Sequence, residues 1–323
     1  MVVEAIKRIV NSFDLAYKLY FEEKARRRGV EVKGEPYQYQ KIVWEKILDT
    51  NNDLALRAPT GTGKTVAVGL PSIFKAMLQP LEVVIVVYPT KVLVEDQRDE
   101  FEIMVGVAEK TIKDTLNLSL PSVAMRVGVD TGDEKSALFY QCKVILSTFD
   151  VFVHRLLAYG HARWSYVYPL RIGRSIIIFD EVHAYERVAF MSLMTVIRNM
   201  VERRKKLSWF NPRFIFMSAT LPSPLLDLLS YVGLDLDKSL VANVVPREEL
   251  EARMRQGLVV PAFKRYCGVF SRGEVVELLE GIIKGGKRVV LILNSVERAV
   301  ELYKQVKDLS LIHISEPTRP RLI

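Results

Sequence analysis

Two short stretches carry side chains whose types and spacing suit chemistry on phosphates. The first is TGTGKT, Thr60 to Thr65, which follows the apolar run DLALRAP and precedes VAVGLPSIFKAML. A strand, a glycine loop ending in GK[ST] and a helix form the arrangement that cradles nucleotide phosphates. The glycines let backbone N–H groups of Gly61, Thr62 and Gly63 approach the phosphates at a helix N-terminus, where the dipole favours anions. Lys64 supplies a point charge to the β- and γ-phosphates, and the Thr65 hydroxyl is a ligand for Mg²⁺. The strict pattern asks for Gly at its first position, and Ala58 stands there. The second stretch is SIIIFDEVH, an apolar run that ends in Asp180 and Glu181. Two adjacent carboxylates at the end of a buried strand are costly without a cation or a proton partner. Mg²⁺-ATP gives both a use: Asp180 holds the metal through water, and Glu181 orients or deprotonates the attacking water. An Asp–Glu pair also suits a helix N-cap and first turn. Lys64 far upstream turns the reading to ATP hydrolysis.

These residues need a frame. DLALRAP, EVVIVVYP, CKVILST, SIIIFDE and RFIFMSAT read as strands buried on both faces, each nearly all apolar. Amphipathic stretches such as KVLVEDQRDEFEIM and AFMSLMTVIRNMVERRKK lie between them. The alternation predicts an α/β fold, a parallel sheet with helices on both faces. In such sheets ligands gather at the carboxyl ends of the strands, where both polar signatures sit. Ahead of this, Ile6, Ile9, Val10, Phe13, Ala16, Tyr17 and Tyr20 mark one face of a helix that Gly29 can end. Pro71 is expected to kink the helix after the glycine loop.

Composition narrows the class. The chain has 323 residues, 49% hydrophobic and 26% charged, as an ordinary globular protein of about two domains. No apolar run approaches the ~18 residues of a membrane span, and acids and bases interrupt the first residues where a signal peptide would be apolar. Cys142 and Cys267 form neither a disulfide framework nor a CxxC pair. The expectation is a cytoplasmic protein without membrane partners. The formal net charge of +8 leans toward a polyanionic partner such as nucleic acid.

APTGTGKT, DEVH and SAT (Ser218, Ala219, Thr220), in that order, resemble the superfamily 2 helicases of the DExH-box kind. The resemblance runs from about Pro36 to Asp308 and implies two RecA-like domains that close on ATP and reopen after hydrolysis. PYQYQ resembles the Q motif, which places Gln40 against the adenine edge. YPTKVLVEDQ resembles motif Ia, which places Pro89, Thr90 and Lys91 on the nucleic-acid backbone. DTGD, with Thr131 and Gly132, matches motif Ib, and STFDVF, with Ser147 and Thr148, matches the next backbone-contacting segment. The resemblance assigns His183, Ser218 and Thr220 to coupling between ATP state and the nucleic-acid face. LILNSVERA, with Asn294 and Ser295, resembles motif IV at the opening of the second RecA-like domain.

DEVHAYE, MSATLP and LILNSVERA together look like the CRISPR-associated helicase of type I interference. That implies a motor moving on single-stranded DNA, with a guide-RNA interference complex and an HD nuclease as partners. The four histidines are His154, His161, His183 and His313, and none precedes an Asp, so the nuclease is expected on another polypeptide or outside this chain. Another superfamily 2 translocase, such as a restriction-enzyme motor or an RNA helicase, and an ATP-regulated binding module without hydrolysis are the rival readings.

The expected organisation is a helical extension over 1–35, a first RecA-like domain over 36–245, and a linker with the truncated start of the second domain over 246–308. LSLIHISEPTR, within 309–323, resembles the translated frame of a transposase adaptor, so those residues read as a non-native tail. Motifs V and VI, with their arginine fingers, would lie beyond the chain, which is therefore expected to bind ATP weakly and hydrolyse little. GHARWSYVYPLRIGR reads as a surface hairpin or packing insert, with base stacking by its aromatics as the alternative.

Overall fold

The computed structural model describes residues 2–29, 35–79, 81–118, 127–134, 136, 141–157, 167–185, 187–241 and 244–255, with scattered helical positions from 275 to 304. The chain divides into two compact units, Met1–Pro261 and Ala262–Ile323. In the second, the described positions are Val275, Leu279, Glu297, Val300, Glu301, Leu302 and Lys304, all helical.

The first unit begins with α1 (Val2–Val10), α2 (Phe13–Arg28) and α3 (Gln38–Asp49). Strands and helices then alternate: β1 (Asp53–Arg57), α4 (Lys64–Leu78), β2 (Val83–Tyr88), α5 (Lys91–Leu116), β3 (Val127–Asp130), β4 (Val144–Thr148), α6 (Phe149–Leu156), α7 (Val167–Ile172) and β5 (Ser175–Asp180). A 3₁₀ turn over Val182–Ala184 leads to α8 (Arg187–Lys206), β6 (Arg213–Ser218), α9 (Ser223–Tyr231), β7 (Leu236–Leu240) and α10 (Arg247–Arg255). The strands form one sheet in the order β3-β4-β2-β5-β6-β1-β7, with every pairing parallel.

Period-two alternation divides the strand residues between two cores. Leu54, Leu56, Val84, Val86, Ile176, Ile178, Ile215 and Met217 belong to a core shared with Trp44, Phe74 and Phe101 of α3, α4 and α5. Ala55, Ile85, Val87, Ile177, Phe179 and Phe216 belong to the other, with Phe152, Ile172, Ile197 and Leu229 of α6 to α9. Phe179 and Phe216 stack across β5 and β6 with centroids 5.3 Å apart. Burial on both faces explains why the five central strands are near-continuous apolar runs.

Two strands have no such run. β3 has four residues and sits at one edge; β7 is LDKSL at the other, and exposes Lys238 and Ser239. The expected N-terminal helix is two helices. Ser12 donates its hydroxyl to Ile9 O at 2.8 Å, a local bond that competes with helix continuation, and α2 restarts at Phe13. Ile9, Phe13, Ala16, Tyr17 and Tyr20 are still buried in the first core, so α1 and α2 pack into this unit rather than standing off it. α10 also belongs to this unit, although it falls in the stretch read as a linker. Helix α4 continues through Pro71 to Leu78. The described part of the Arg-aromatic stretch, residues 167–174, contains α7, where Tyr168 is buried against the Arg155 guanidinium at 4.6 Å and so serves packing; its residues 160–166 lie outside the described residues. No helix among the described residues is long and apolar enough to cross a membrane.

Candidate functional site

All strands run the same way, so their carboxyl ends share one edge of the sheet. Adjacent β5, β6 and β1 deliver Asp180, Ser218 and the glycine loop to one half of it. Adjacent β3, β4 and β2 deliver Thr131, Thr148 and Thr90 to the other half.

The glycine loop turns from β1 into α4. Gly61 and Gly63 have φ of 77° and 78°, left-handed backbone that favours glycine, and Gly63 is the N-cap of α4. The Thr62 hydroxyl donates to Pro59 O at 2.7 Å and closes the turn. Thr60 and Gly61 are exposed at its tip and Thr65 is half-buried. Lys64 is buried, with Nζ 3.5 Å from Pro59 O and 3.9 Å from Glu181 Oε1. Its ammonium therefore lies over the loop between the helix N-terminus and the acidic pair.

Gln40 packs on the glycine loop. Its Nε2 donates to Thr62 O and Gly63 O at 3.3 and 3.1 Å, and its Oε1 accepts from the Tyr37 N–H at 2.8 Å. Both ends of the amide are held by main chain. A Cβ on Gly63 would come within 2.7 Å of Gln40 Nε2, so the side chain is packed directly on the loop.

Asp180 is buried at the end of β5, and its Oδ1 accepts from the Glu181 N–H at 2.7 Å. Glu181 itself is left-handed, with φ 47° and ψ 44°, a conformation uncommon outside glycine. Its Oε2 is buried without a hydrogen-bond partner in the protein. His183 Nδ1 lies 3.2 Å from that oxygen, but its hydrogen bond goes to Ser218 Oγ at 2.6 Å. Ser218 Oγ accepts from the Thr220 N–H at 3.2 Å. His183, Ser218 and Thr220 are thus one connected unit beside the acidic pair.

Burial, then the charge of Glu181, raises the Asp180 carboxyl to about 7; the Glu181 N–H and Lys64 oppose the shift. The folded value lies above the unfolded one. The stabilisation is therefore present below the unfolded carboxylate range and is lost as pH rises through about 7. Asp180→Asn keeps an acceptor for the Glu181 N–H and removes the charge. Without Mg²⁺ or nucleotide, its melting temperature is expected to gain on wild type by several degrees between pH 5.5 and 8, since about 1 kcal/mol moves a domain of this size by ~2–4 °C. A pH-independent difference in thermal melts would contradict this placement of Asp180.

On the other half of the edge, Thr90 caps α5 by accepting the Leu93 N–H, Lys91 is exposed behind it, and Pro89 is half-buried. Thr148 is the half-exposed N-cap of α6, beside the buried Ser147. Lys91 Nζ lies 2.6 Å from Asp133 Oδ2 and remains exposed. Gly132 is open at the tip of its turn. Thr131 differs from expectation: it is buried, and its hydroxyl accepts the Glu134 N–H at 3.2 Å inside that turn. Asn294 and Ser295 lie outside the described residues.

Several contributors gave no signal in the motifs. Tyr39 donates its hydroxyl to Thr62 O at 2.9 Å, a second hold on the loop. Arg155 pairs with the buried Asp130 through two bonds, at 2.8 and 2.9 Å, and ties α6 to the end of β3. Their partners are 23 and 25 residues away, beyond any local pattern. Cys142 is a buried free thiol, as its apolar run suggests.

Residues 37–228, well over half of the chain, match the family of the DEAD/DEAH box helicase. The putative CRISPR-associated nuclease/helicase Cas3 of Methanocaldococcus jannaschii is 26% identical over 297 residues, which cover 85% of this chain and 36% of that protein. The uncharacterized ATP-dependent helicase YprA of Bacillus subtilis is 22% identical over 205 residues, 61% of this chain and 24% of that protein. Among solved structures, the DUF1998 helicase MrfA bound to DNA and AMPPNP superposes with a TM-score of 0.60 at 18% identity, over 90% of this chain and 38% of that one. The chain thus spans about a third or less of the length of these two relatives.

Proposed function

The chain belongs to the DEAD/DEAH box helicase family, and from that premise we propose that it is the ATP-hydrolysing domain of a DNA-translocating motor in type I CRISPR interference. The sheet and its flanking helices are a RecA-like α/β helicase domain. One observation carries the ATPase reading: Lys64 from the start of α4 meets Asp180 and Glu181 from the end of β5, where a buried Glu181 oxygen has no hydrogen-bond partner.

These residues fit Mg²⁺-ATP. A buried carboxylate raised to about 7 is one that a cation would relieve, and the left-handed glycines expose loop N–H groups to anions. Thr65 and Asp180 would hold Mg²⁺ together with phosphate oxygens, and the ion would neutralise charge developing on them. Lys64 would leave Pro59 O for the β- and γ-phosphates. The attacking water would give its proton to Glu181 Oε2, the atom that the fold leaves unpaired. His183 and Ser218 then sense that carboxylate across 3.2 and 2.6 Å contacts, a short route to Thr220.

What supports the CRISPR assignment is the aligned sequence, 26% identical to the Cas3 relative over 85% of the chain against 22% over 61% for YprA; the 90% overlap with MrfA speaks for the helicase fold alone. On this reading the substrate is single-stranded DNA, loaded by a guide-RNA interference complex in the cytoplasm, with an HD nuclease as partner. The discriminating experiment is ATPase stimulation of the intact enzyme by single-stranded DNA, duplex DNA and RNA. Single-stranded DNA is expected to stimulate most. RNA-only stimulation would overturn the CRISPR reading in favour of an RNA helicase.

The strand grip is proposed along Thr90, Lys91, Gly132 and Thr148, with contacts mainly to phosphates. Lys91→Glu is expected to weaken every DNA sequence by the same factor and to flatten the salt dependence by about 0.7 in log–log slope, one lost single-strand phosphate contact. Fluorescence anisotropy over a salt series reads both. A sequence-selective loss would place the strand elsewhere.

A further inference from the structure

We propose that Arg253 of α10 is a positioning residue that sets the conformation of the phosphate loop through Tyr37 and Gln40. The guanidinium donates to Glu35 O at 2.6 Å and to Pro36 O at 3.0 Å, and lies 3.7 Å above the Tyr37 ring. Glu249, one turn earlier in α10, accepts from Nη2 at 3.2 Å and fixes its direction. A planar fork can hold two successive carbonyls and face an aromatic ring at once; a lysine ammonium cannot. Tyr37 is the N-cap of α3, so this grip fixes where that helix begins.

From Tyr37 the contacts continue inward. The Tyr37 N–H donates to Gln40 Oε1, which orients the amide so that Nε2 faces Thr62 O and Gly63 O. Tyr39, in the same first turn of α3, holds Thr62 O as well. With both loop carbonyls drawn toward α3, the peptide N–H groups of the loop are left for an anion. Binding to a loop already held in this state avoids the entropy of ordering it. The hydrogen bonds and ring contact of Arg253 go to Glu35, Pro36, Tyr37 and Glu249, so its proposed influence runs through residues 35–40.

This inference rests on the assignment of the loop to Mg²⁺-ATP, and the test separates the two. Mg²⁺-ATP is titrated calorimetrically into the full chain as wild type, Arg253→Met, Arg253→Lys, Gln40→Ala and the double variant Arg253→Met/Gln40→Ala. Arg253→Met is expected to weaken binding about tenfold, and Arg253→Lys less. Gln40→Ala is expected to cost about as much as Arg253→Met. The double variant should match the worse single rather than fall ~100-fold, because residues acting in series do not add. A general loss of folding would not produce that pattern. Wild-type affinity in Arg253→Met, or multiplying effects in the double variant, would overturn the proposal. Should Arg253→Met fail to fold, Arg253→Lys and Glu249→Gln are judged by the same comparison with Gln40→Ala. A wild-type chain that does not bind at all would overturn the site assignment and this inference with it.

Discussion

Glu181→Gln is expected to lower kcat for nucleic-acid-stimulated ATP hydrolysis by about 10²–10⁴-fold while Mg²⁺-ATP affinity stays within about threefold of wild type. In the proposed mechanism this carboxylate takes the proton of the attacking water. Its Oε2 is buried without a hydrogen-bond partner, its N–H is taken by Asp180, and its left-handed backbone turns the side chain back toward Lys64. Glutamine is nearly isosteric and keeps one acceptor oxygen, but its amide cannot take up a proton. The loss should therefore fall on turnover and not on ground-state binding. Steady-state hydrolysis beside a nucleotide titration reads the two separately. A near-normal kcat would move the base to another residue.

Lys64→Ala is expected to weaken Mg²⁺-ATP binding by about 10²-fold or more. Hydrogen bonds to charged groups are worth roughly 1.5–3 kcal/mol, and this ammonium is buried, where no solvent cation can replace it. The other buried lysines among the described residues are occupied: Lys75 by the carbonyls of Ile47 and Thr50, and Lys143 by those of Ala76 and Glu82. Both serve helix ends and loops on the opposite side of the sheet from the cleft. Equal affinities in the mutant and wild type would mean that the loop does not bind phosphate.

Much of this arrangement is legible in the residues because it follows from local rules. A strand buried on both faces must be apolar through its middle, and β1, β2, β4, β5 and β6 satisfy that. TGTGKT and DE interrupt such runs with costly polar groups, and parallel pairing brings both to one edge. Where burial is partial the rule lapses. β7 reads LDKSL because an edge strand can leave polar side chains in water, and β3 is too short for a pattern to accumulate. The break at Ser12 depends on one side-chain bond and leaves the apolar face continuous across it. Gln40 shows a different limit. Its position in PYQYQ is plain, yet which partner its amide takes depends on the loop packed against it, and here that partner is Thr62 and Gly63. Arg253 stands more than two hundred residues from Glu35, and only the fold brings them together. The same holds for Asp133, whose carboxylate pairs with Lys91, since a turn alone does not announce its partner.

The glycine loop, the Asp180–Glu181 pair and the Ser218 turn are proposed to hold Mg²⁺-ATP together at the carboxyl edge of the sheet. Amide hydrogen exchange of the chain with and without a non-hydrolysable ATP analogue and Mg²⁺ tests this most directly, because it reports where the nucleotide acts. Protection is expected in residues 58–65, with smaller changes at 180–183 and 218–220, and little change at the opposite edge near Lys75 and Lys143. Saturating nucleotide that leaves residues 58–65 and 180–183 unprotected would contradict the account.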